Sequence, residues 1–68
     1  MCEANAYIVK DGREELVMES VDVVEPGEDH SRYRLVNIFG EQKVIRGRIK
    51  LMNLVDHKIL FEKTSDMP

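Results

Sequence analysis

Hydrophobic and polar residues alternate with a period of two along most of the chain, which is the period of a β-strand rather than of a helix. The segments predicted as strands are residues 4–10, 14–19, 21–25, 32–38, 43–52 and 59–62. Asp11-Gly12 and Pro26-Gly27 lie between segments and are typical turn sequences. Residues 10–20 are also compatible with a short helix, but the preceding Asp-Gly and the valine-rich run that follows favour a strand. The pattern therefore predicts an all-β fold.

The clearest alternation runs through residues 43–52. Ile45, Gly47, Ile49 and Leu51 share one face, and Val44, Arg46, Arg48 and Lys50 share the other. A glycine on the inward face allows a strand to bend sharply, as the closing of a small barrel requires. We expect a small, partly open, SH3-like or OB-like barrel of about five short antiparallel strands. The residues predicted for its core are Ile8, Leu16, Val23, Ile38, Ile45, Ile49, Leu51 and Phe61.

The length and composition of the chain favour one small cytoplasmic domain. With 68 residues there is room for a single domain, which we place at 1–63, followed by a frayed tail at 64–68. No apolar run approaches the roughly 20 residues that span a bilayer. The first residues lack the basic region and apolar stretch of a signal peptide. The single cysteine excludes an intrachain disulfide.

The motifs of common enzyme classes are missing from the sequence. It contains no phosphate-binding GxxxxGK[ST] loop, no GxGxxG dinucleotide motif, no GxSxG nucleophile motif and no CxxC pair. None of its serines has the sequence context of a nucleophile. We therefore expect a protein that is not an enzyme.

Cys2 is the strongest candidate for a metal ligand in the sequence. It is either an incidental thiol near a mobile terminus or, once the initiator Met1 is removed, the new first residue. In the second case its thiol and α-amine, with reference pKa values of about 8.5 and 8, form a five-membered chelate. A nitrogen–sulfur chelate suits Ni(II) or copper better than Mg²⁺ or Ca²⁺. Two such chelates, brought together in a symmetric dimer, would supply a square-planar set of donors.

The two histidines are weaker candidates for a functional role. His57 lies in a predicted turn, where it is either a solvated side chain, a second metal ligand or a residue that holds Asp56 in place. His30 lies in the polar loop after Pro26-Gly27, and we assign it no role.

Arg46, Arg48 and Lys50 form a basic stripe on one face of the predicted strand, which suggests an alternative function. Such a stripe could follow the phosphate backbone of a nucleic acid. The formal net charge of −3 and the small number of aromatic residues count against this interpretation. A solvated outer face that protects the strand edge from aggregation explains the stripe equally well.

Four parts of the sequence together resemble one known family. These are Met1-Cys2, Glu14 to Glu19, Asn37-Ile38-Phe39-Gly40-Glu41-Gln42 and Asp56-His57-Lys58-Ile59. In this order they resemble the CooT family of small nickel-binding proteins, and the similarity extends from residue 1 to about residue 62. It implies a homodimer of SH3-like barrels in which Cys2 binds Ni(II) at the interface, and a role in nickel delivery to carbon monoxide dehydrogenase. Some members are described as predicted RNA-binding proteins on the basis of their fold, so the nucleic-acid alternative stays open.

Overall fold

Six β-strands account for most of the computed structural model, which describes residues 3–29 and 31–63. The strands are β1 (Ala4–Lys10), β2 (Arg13–Pro26), β3 (Arg32–Asn37), β4 (Gln42–Arg46), β5 (Arg48–Asn53) and β6 (Lys58–Glu62). No helix occurs in the described ranges, so the predicted all-β class is confirmed. Cys2, His30 and the predicted tail at 64–68 lie outside the described residues. The part of the chain that is described has no helix long and apolar enough to cross a membrane.

The strands form one mixed sheet in the order β4-β3-β2-β1-β6-β5. Neighbouring strands are antiparallel except β1 and β6, which run parallel from the pair Asn5–Lys58 to the pair Val9–Glu62. The sheet has six strands where about five were predicted, and the predicted antiparallel pairing is wrong only between β1 and β6. β4 and β5 occupy the two edges, and in the described residues no pairing closes the sheet into a barrel.

Gly47 alone connects the two edge strands, so the chain passes from one end of the sheet to the other at this residue. Its φ angle is +152°, and a Cβ atom there would overlap the carbonyl oxygen of Glu62. The Gly47 N–H donates to the carbonyl oxygen of Ser31 at 2.9 Å. The bend predicted at Gly47 is confirmed, and it divides the predicted strand 43–52 into β4 and β5. The sheet must therefore curl to bring its edges together at this corner.

The hydrophobic core lies inside the curled sheet. Leu35 and Phe61 are its largest fully buried side chains, and the ring of Tyr33 lies 5.5 Å from that of Phe61. The predictions for Ile45 and Phe61 are confirmed, while Ile8 and Ile49 are half-buried against the core. The buried hydrophobic residues are Ala6, Met18, Val21, Leu35, Ile45, Ile59, Leu60 and Phe61.

Four predicted core residues, Leu16, Val23, Ile38 and Leu51, are instead 40–50% exposed. Leu16, Val23 and Leu51 lie at shifts in strand register, which insert an extra residue into one strand. Each such bulge reverses which of the following side chains face inward. Ile38 lies beyond the end of β3, in the turn that leads to β4. The prediction was wrong at three of these positions because strict alternation does not include bulges, and at Ile38 because the strand ends one residue earlier than predicted.

Candidate metal centre

The start of β1, which directly follows Cys2 and Glu3 in the chain, lies beside the turn between β5 and β6. The Asn5 N–H donates to the carbonyl oxygen of His57 at 2.8 Å, and Asn5 pairs with Lys58 in the parallel ladder. The Asn5 side chain also accepts a hydrogen bond from the Ser20 N–H at 3.1 Å. These bonds fix the backbone close to the N-terminus against two other parts of the sheet.

The β5–β6 turn has its own hydrogen bonds. The side-chain oxygen of Asn53 accepts from the Asp56 N–H at 3.1 Å, and its amide nitrogen donates to the Asp56 carboxylate at 3.1 Å. His57 follows with a φ angle of +55°, a left-handed conformation that is uncommon for residues other than glycine. Its side chain is exposed. The turn therefore holds the His57 backbone in place while leaving its imidazole free to reach solvent.

Lys58 connects this turn to the neighbouring hairpin. Its ammonium group lies 2.8 Å from the Glu14 carboxylate and 5.2 Å from the centre of the Tyr7 ring. The hydrogen bond that the ammonium group donates to the Glu14 carboxylate, together with the negative charge of that carboxylate, raises the pKa of Lys58 above its ordinary value. A lysine is protonated at neutral pH even at its ordinary pKa, and its ammonium group has no lone pair for a metal, so we assign Lys58 to the contact between β6 and the β1–β2 hairpin.

A cavity of about 270 Å³ opens beside the first described residues of the chain. Its wall is largely apolar, with three groups at its margin that can carry charge, namely Glu3, Asp22 and His57. The apolar lining consists of Ala4, Val21, Val24, Met52, Leu54 and Ile59. The segment that follows Cys2 therefore faces a cavity rather than lying on a flat surface.

Among the residues that line this cavity, His57 was predicted from the sequence as a candidate ligand, whereas Met52 and Leu54 were not predicted to have a role. Both are exposed apolar residues, at 47% and 70%, and they border the same cavity. The signal was available, because Leu51 to Val55 carry four apolar side chains next to the polar Asp56-His57 pair. Across residues 3–29 and 31–63, no three His, Cys, Asp or Glu side chains group closely enough to hold a metal ion.

The basic stripe of the alternative hypothesis is distributed over two strands. Arg46 ends β4, whereas Arg48 and Lys50 belong to β5 on the other side of the Gly47 bend. All three side chains are exposed, and Arg48 lies 3.4 Å from the Glu62 carboxylate. Lys50 lies at the register shift between Ile49 and Leu51. The stripe is therefore interrupted by a bend, and one of its charges is partly neutralised.

Comparison with known proteins identifies the family. Residues 1–62 match the family model of CooT, described as a CO dehydrogenase accessory protein. A solved structure, described as "putative CooT from Carboxydothermus hydrogenoformans", is 48% identical in sequence and superposes with a TM-score of 0.85. The match covers 94% of this chain and 100% of that one. The comparison with curated proteins returned no match.

The fold is thus shared with a protein described as a CooT, and that family is described as an accessory protein of CO dehydrogenase rather than as the enzyme itself. The chain belongs to the CooT family of CO dehydrogenase accessory proteins.

Proposed function

We propose that the protein binds nickel(II) as cargo for the maturation of a CO dehydrogenase, and that it does so as a binding protein without catalytic activity. The accessory role of the family and the nickel dependence of CO dehydrogenase support this proposal. The structural observation that most supports it is the cavity lined by Glu3, because the proposed ligand Cys2 is the residue directly before Glu3 in the chain.

The donors that we propose are the Cys2 thiolate and the α-amine exposed when Met1 is removed. Thiolate is a soft ligand, and Ni(II) with mixed nitrogen and sulfur donors favours a square-planar set. One Cys2 chelate supplies two donors, so two protomers are needed to complete four. We therefore propose a homodimer in which each protomer contributes one Cys2. His57 also lines the cavity, and its backbone carbonyl oxygen accepts a hydrogen bond from the Asn5 N–H at the start of β1.

Native mass spectrometry of the untagged protein, with and without Ni(II), tests the proposal. A polyhistidine tag is excluded because it would bind the metal itself. We expect a dimer that takes up one Ni(II), with the initiator methionine absent from both chains.

Substitution of the thiol gives the sharper test. Cys2→Ser should abolish Ni(II) uptake, since a hydroxyl is a harder donor whose proton is more difficult to remove. Met52→Leu is the matched control, because it removes the sulfur atom that borders the same cavity but is not among the proposed donors. Uptake by Cys2→Ser with the affinity of the parent protein would reject the proposed ligand.

A further inference from the structure

The turn between β3 and β4 is built around one buried polar side chain. Asn37 is 5% exposed, and its side-chain oxygen accepts from the N–H groups of Phe39 at 3.0 Å and Glu41 at 2.9 Å. Its amide nitrogen donates to the Glu41 carboxylate at 2.7 Å. The Gly40 N–H donates to the Asn37 carbonyl oxygen at 3.0 Å. These bonds fix a single turn conformation before any partner is bound.

This turn holds a large aromatic residue in solvent. The Phe39 side chain is 76% exposed, and the residue before it is tied to β2 by the hydrogen bond from the Ile38 N–H to the Ser20 carbonyl oxygen at 2.9 Å. Binding loses less entropy when an aromatic side chain is held on a rigid backbone, and such side chains dominate the energetics of protein interfaces. The network therefore fixes the backbone that carries the exposed Phe39 side chain.

Phe39 stands at the rim of a groove with a volume of about 650 Å³. One wall is the first half of β2, with Leu16, Val17 and Glu19. The other is the turn between β3 and β4, with Phe39 and Glu41, followed by Lys43 at the start of β4. Leu16 is 50% exposed, so apolar area lies on both sides of the groove. The groove is separate from the cavity beside Glu3, because the two have no lining residue in common.

The first half of β2 also has an open backbone edge along this groove. β3 pairs with β2 only from Val21 to Pro26, and in the described residues no strand pairs with this edge between Glu14 and Glu19. The Val17 carbonyl oxygen accepts instead from the Lys43 ammonium group at 3.1 Å. A side chain thus occupies the place that a neighbouring strand would take. Open edges of this kind bind extended peptides by adding a strand to the sheet.

We propose that the groove between β2 and the Phe39 turn binds an extended, basic segment of a partner protein. The charges favour a basic partner, because the acidic side chains at the groove outnumber the basic one. Glu19 and Glu41 line it, and Glu15 is exposed on the same half-strand. The one lysine among the described lining residues, Lys43, donates to the Val17 carbonyl oxygen. A second copy of this chain would bring the same carboxylates against each other, and like charges across a strand pair are destabilising. The partner segment adds a strand along residues 14–19, and one of its apolar side chains packs against Phe39 and Leu16.

Fluorescence anisotropy with a labelled decapeptide of alternating lysine and valine tests the proposal. We expect the peptide to bind, and Phe39→Ala to weaken binding by about tenfold or more. Glu19→Gln should weaken it to a smaller extent. Val55→Ala is the matched control, because Val55 is 88% exposed but lies in the β5–β6 turn, away from the groove. Since Phe39 and Val55 are both exposed, neither substitution should unfold the protein, which circular dichroism will verify.

Amide hydrogen exchange locates the bound peptide independently of the substitutions. The peptide should slow exchange in residues 14–19, whereas protection of the β5 edge at residues 48–53 would overturn the proposal. The proposal would also be overturned if the lysine–valine peptide did not bind, or if a glutamate–valine peptide bound equally well. It would likewise be overturned if Phe39→Ala bound the peptide with the same affinity as the parent protein. If Phe39→Ala converts a dimer to a monomer in sedimentation velocity, the groove is an interface between copies and the proposal is wrong. The Cys2→Ser protein should bind the peptide normally, which separates this proposal from nickel binding.

Discussion

Gly47 packs directly against the backbone of Glu62, with no space for a side chain between them. A Cβ atom on Gly47 would overlap the Glu62 carbonyl oxygen and lie 3.2 Å from the Cα atom of Lys63. The contact joins the start of β5 to the end of β6 at the corner where the chain changes sheet edges. Because both partners are backbone, the overlap could be relieved only by moving a strand.

Gly47→Ala should therefore destabilise the fold by about 3 kcal/mol or more. Gly12→Ala is the matched control, since Gly12 also has a positive φ angle, +77°, but no atom within 4 Å of the added methyl group. Gly12→Ala should lower the free energy of unfolding only by the cost of placing alanine in a left-handed conformation, about 1–2 kcal/mol. Urea unfolding followed by circular dichroism measures both values. Equal losses in the two variants would show that the backbone contact at Gly47 does not matter.

Phe61→Ala should cost about 3–5 kcal/mol, because it empties the centre of the core and removes the contact with Tyr33. Leu51→Ala serves as the comparison, since Leu51 was predicted to be buried but is 48% exposed. It should cost about 1 kcal/mol or less. The same denaturation experiment tests both. A loss at Leu51 as large as that at Phe61 would mean that this part of β5 is buried in solution.

Asp29 should contribute to stability in a pH-dependent way. The Ser31 N–H donates to its carboxylate at 3.1 Å, and this backbone bond, followed by one from the Ser31 hydroxyl, lowers the pKa of Asp29 below its ordinary value. A lowered pKa in the folded state stabilises the protein above the pKa of the unfolded chain, and the benefit is lost as the pH falls through the folded value. Stability should therefore decline at the acid end of the range.

Carbon-13 NMR titration of the Asp29 carboxyl measures this pKa directly. Ser31→Ala should retain part of the shift, since the backbone N–H that is its largest cause remains. Asp29→Asn should make the unfolding free energy less sensitive to acid. A titration at the ordinary value for aspartate would contradict the hydrogen bond.

The proposed amine donor can be tested without changing any side chain. Chemically synthesised chains of residues 2–68, with either a free or an acetylated amino terminus, both retain the Cys2 thiol. We expect acetylation to weaken Ni(II) binding strongly, because the nitrogen becomes an amide. Binding to the free form should fall below about pH 7, as both donors must lose protons. Equal isothermal titration curves for the two chains would show that the α-amine is not a ligand, while the proposal that the thiolate binds Ni(II) would stand.

The nucleic-acid alternative makes a different prediction, based on the basic stripe. Contacts between Arg46, Arg48 or Lys50 and phosphates would be salt-dependent, since each releases counterions. We expect no retention of single-stranded RNA at about 0.15 M salt, given the net charge of −3. Binding that disappears in the double variant Arg46→Glu/Arg48→Glu would instead support an RNA-binding role. Lys10→Glu/Arg13→Glu, at the β1–β2 turn, is the charge-matched control.

The sequence by itself determined the all-β class, most of the strand positions, the bend at Gly47 and the family. Alternation and turn residues act locally, so they could be interpreted without knowledge of the strand neighbours. Cys2 was proposed as a ligand in the same way, since the proposal depends only on its place in the chain and on the chemistry of its thiol and α-amine. The resemblance in residues 37–42 and 56–59 was also visible in the sequence alone.

Only the tertiary structure decided which strands pair and which apolar side chains face inward. The parallel pairing of β1 with β6 joins residues from the two ends of the chain, and no local pattern encodes it. Bulges near Val17 and Val21 reverse the inward face of β2, which left Leu16 exposed and buried Met18. The cavity beside Glu3 and the groove at Phe39 arise for the same reason. Each is formed by segments distant in sequence, brought together by the order of strands in the sheet.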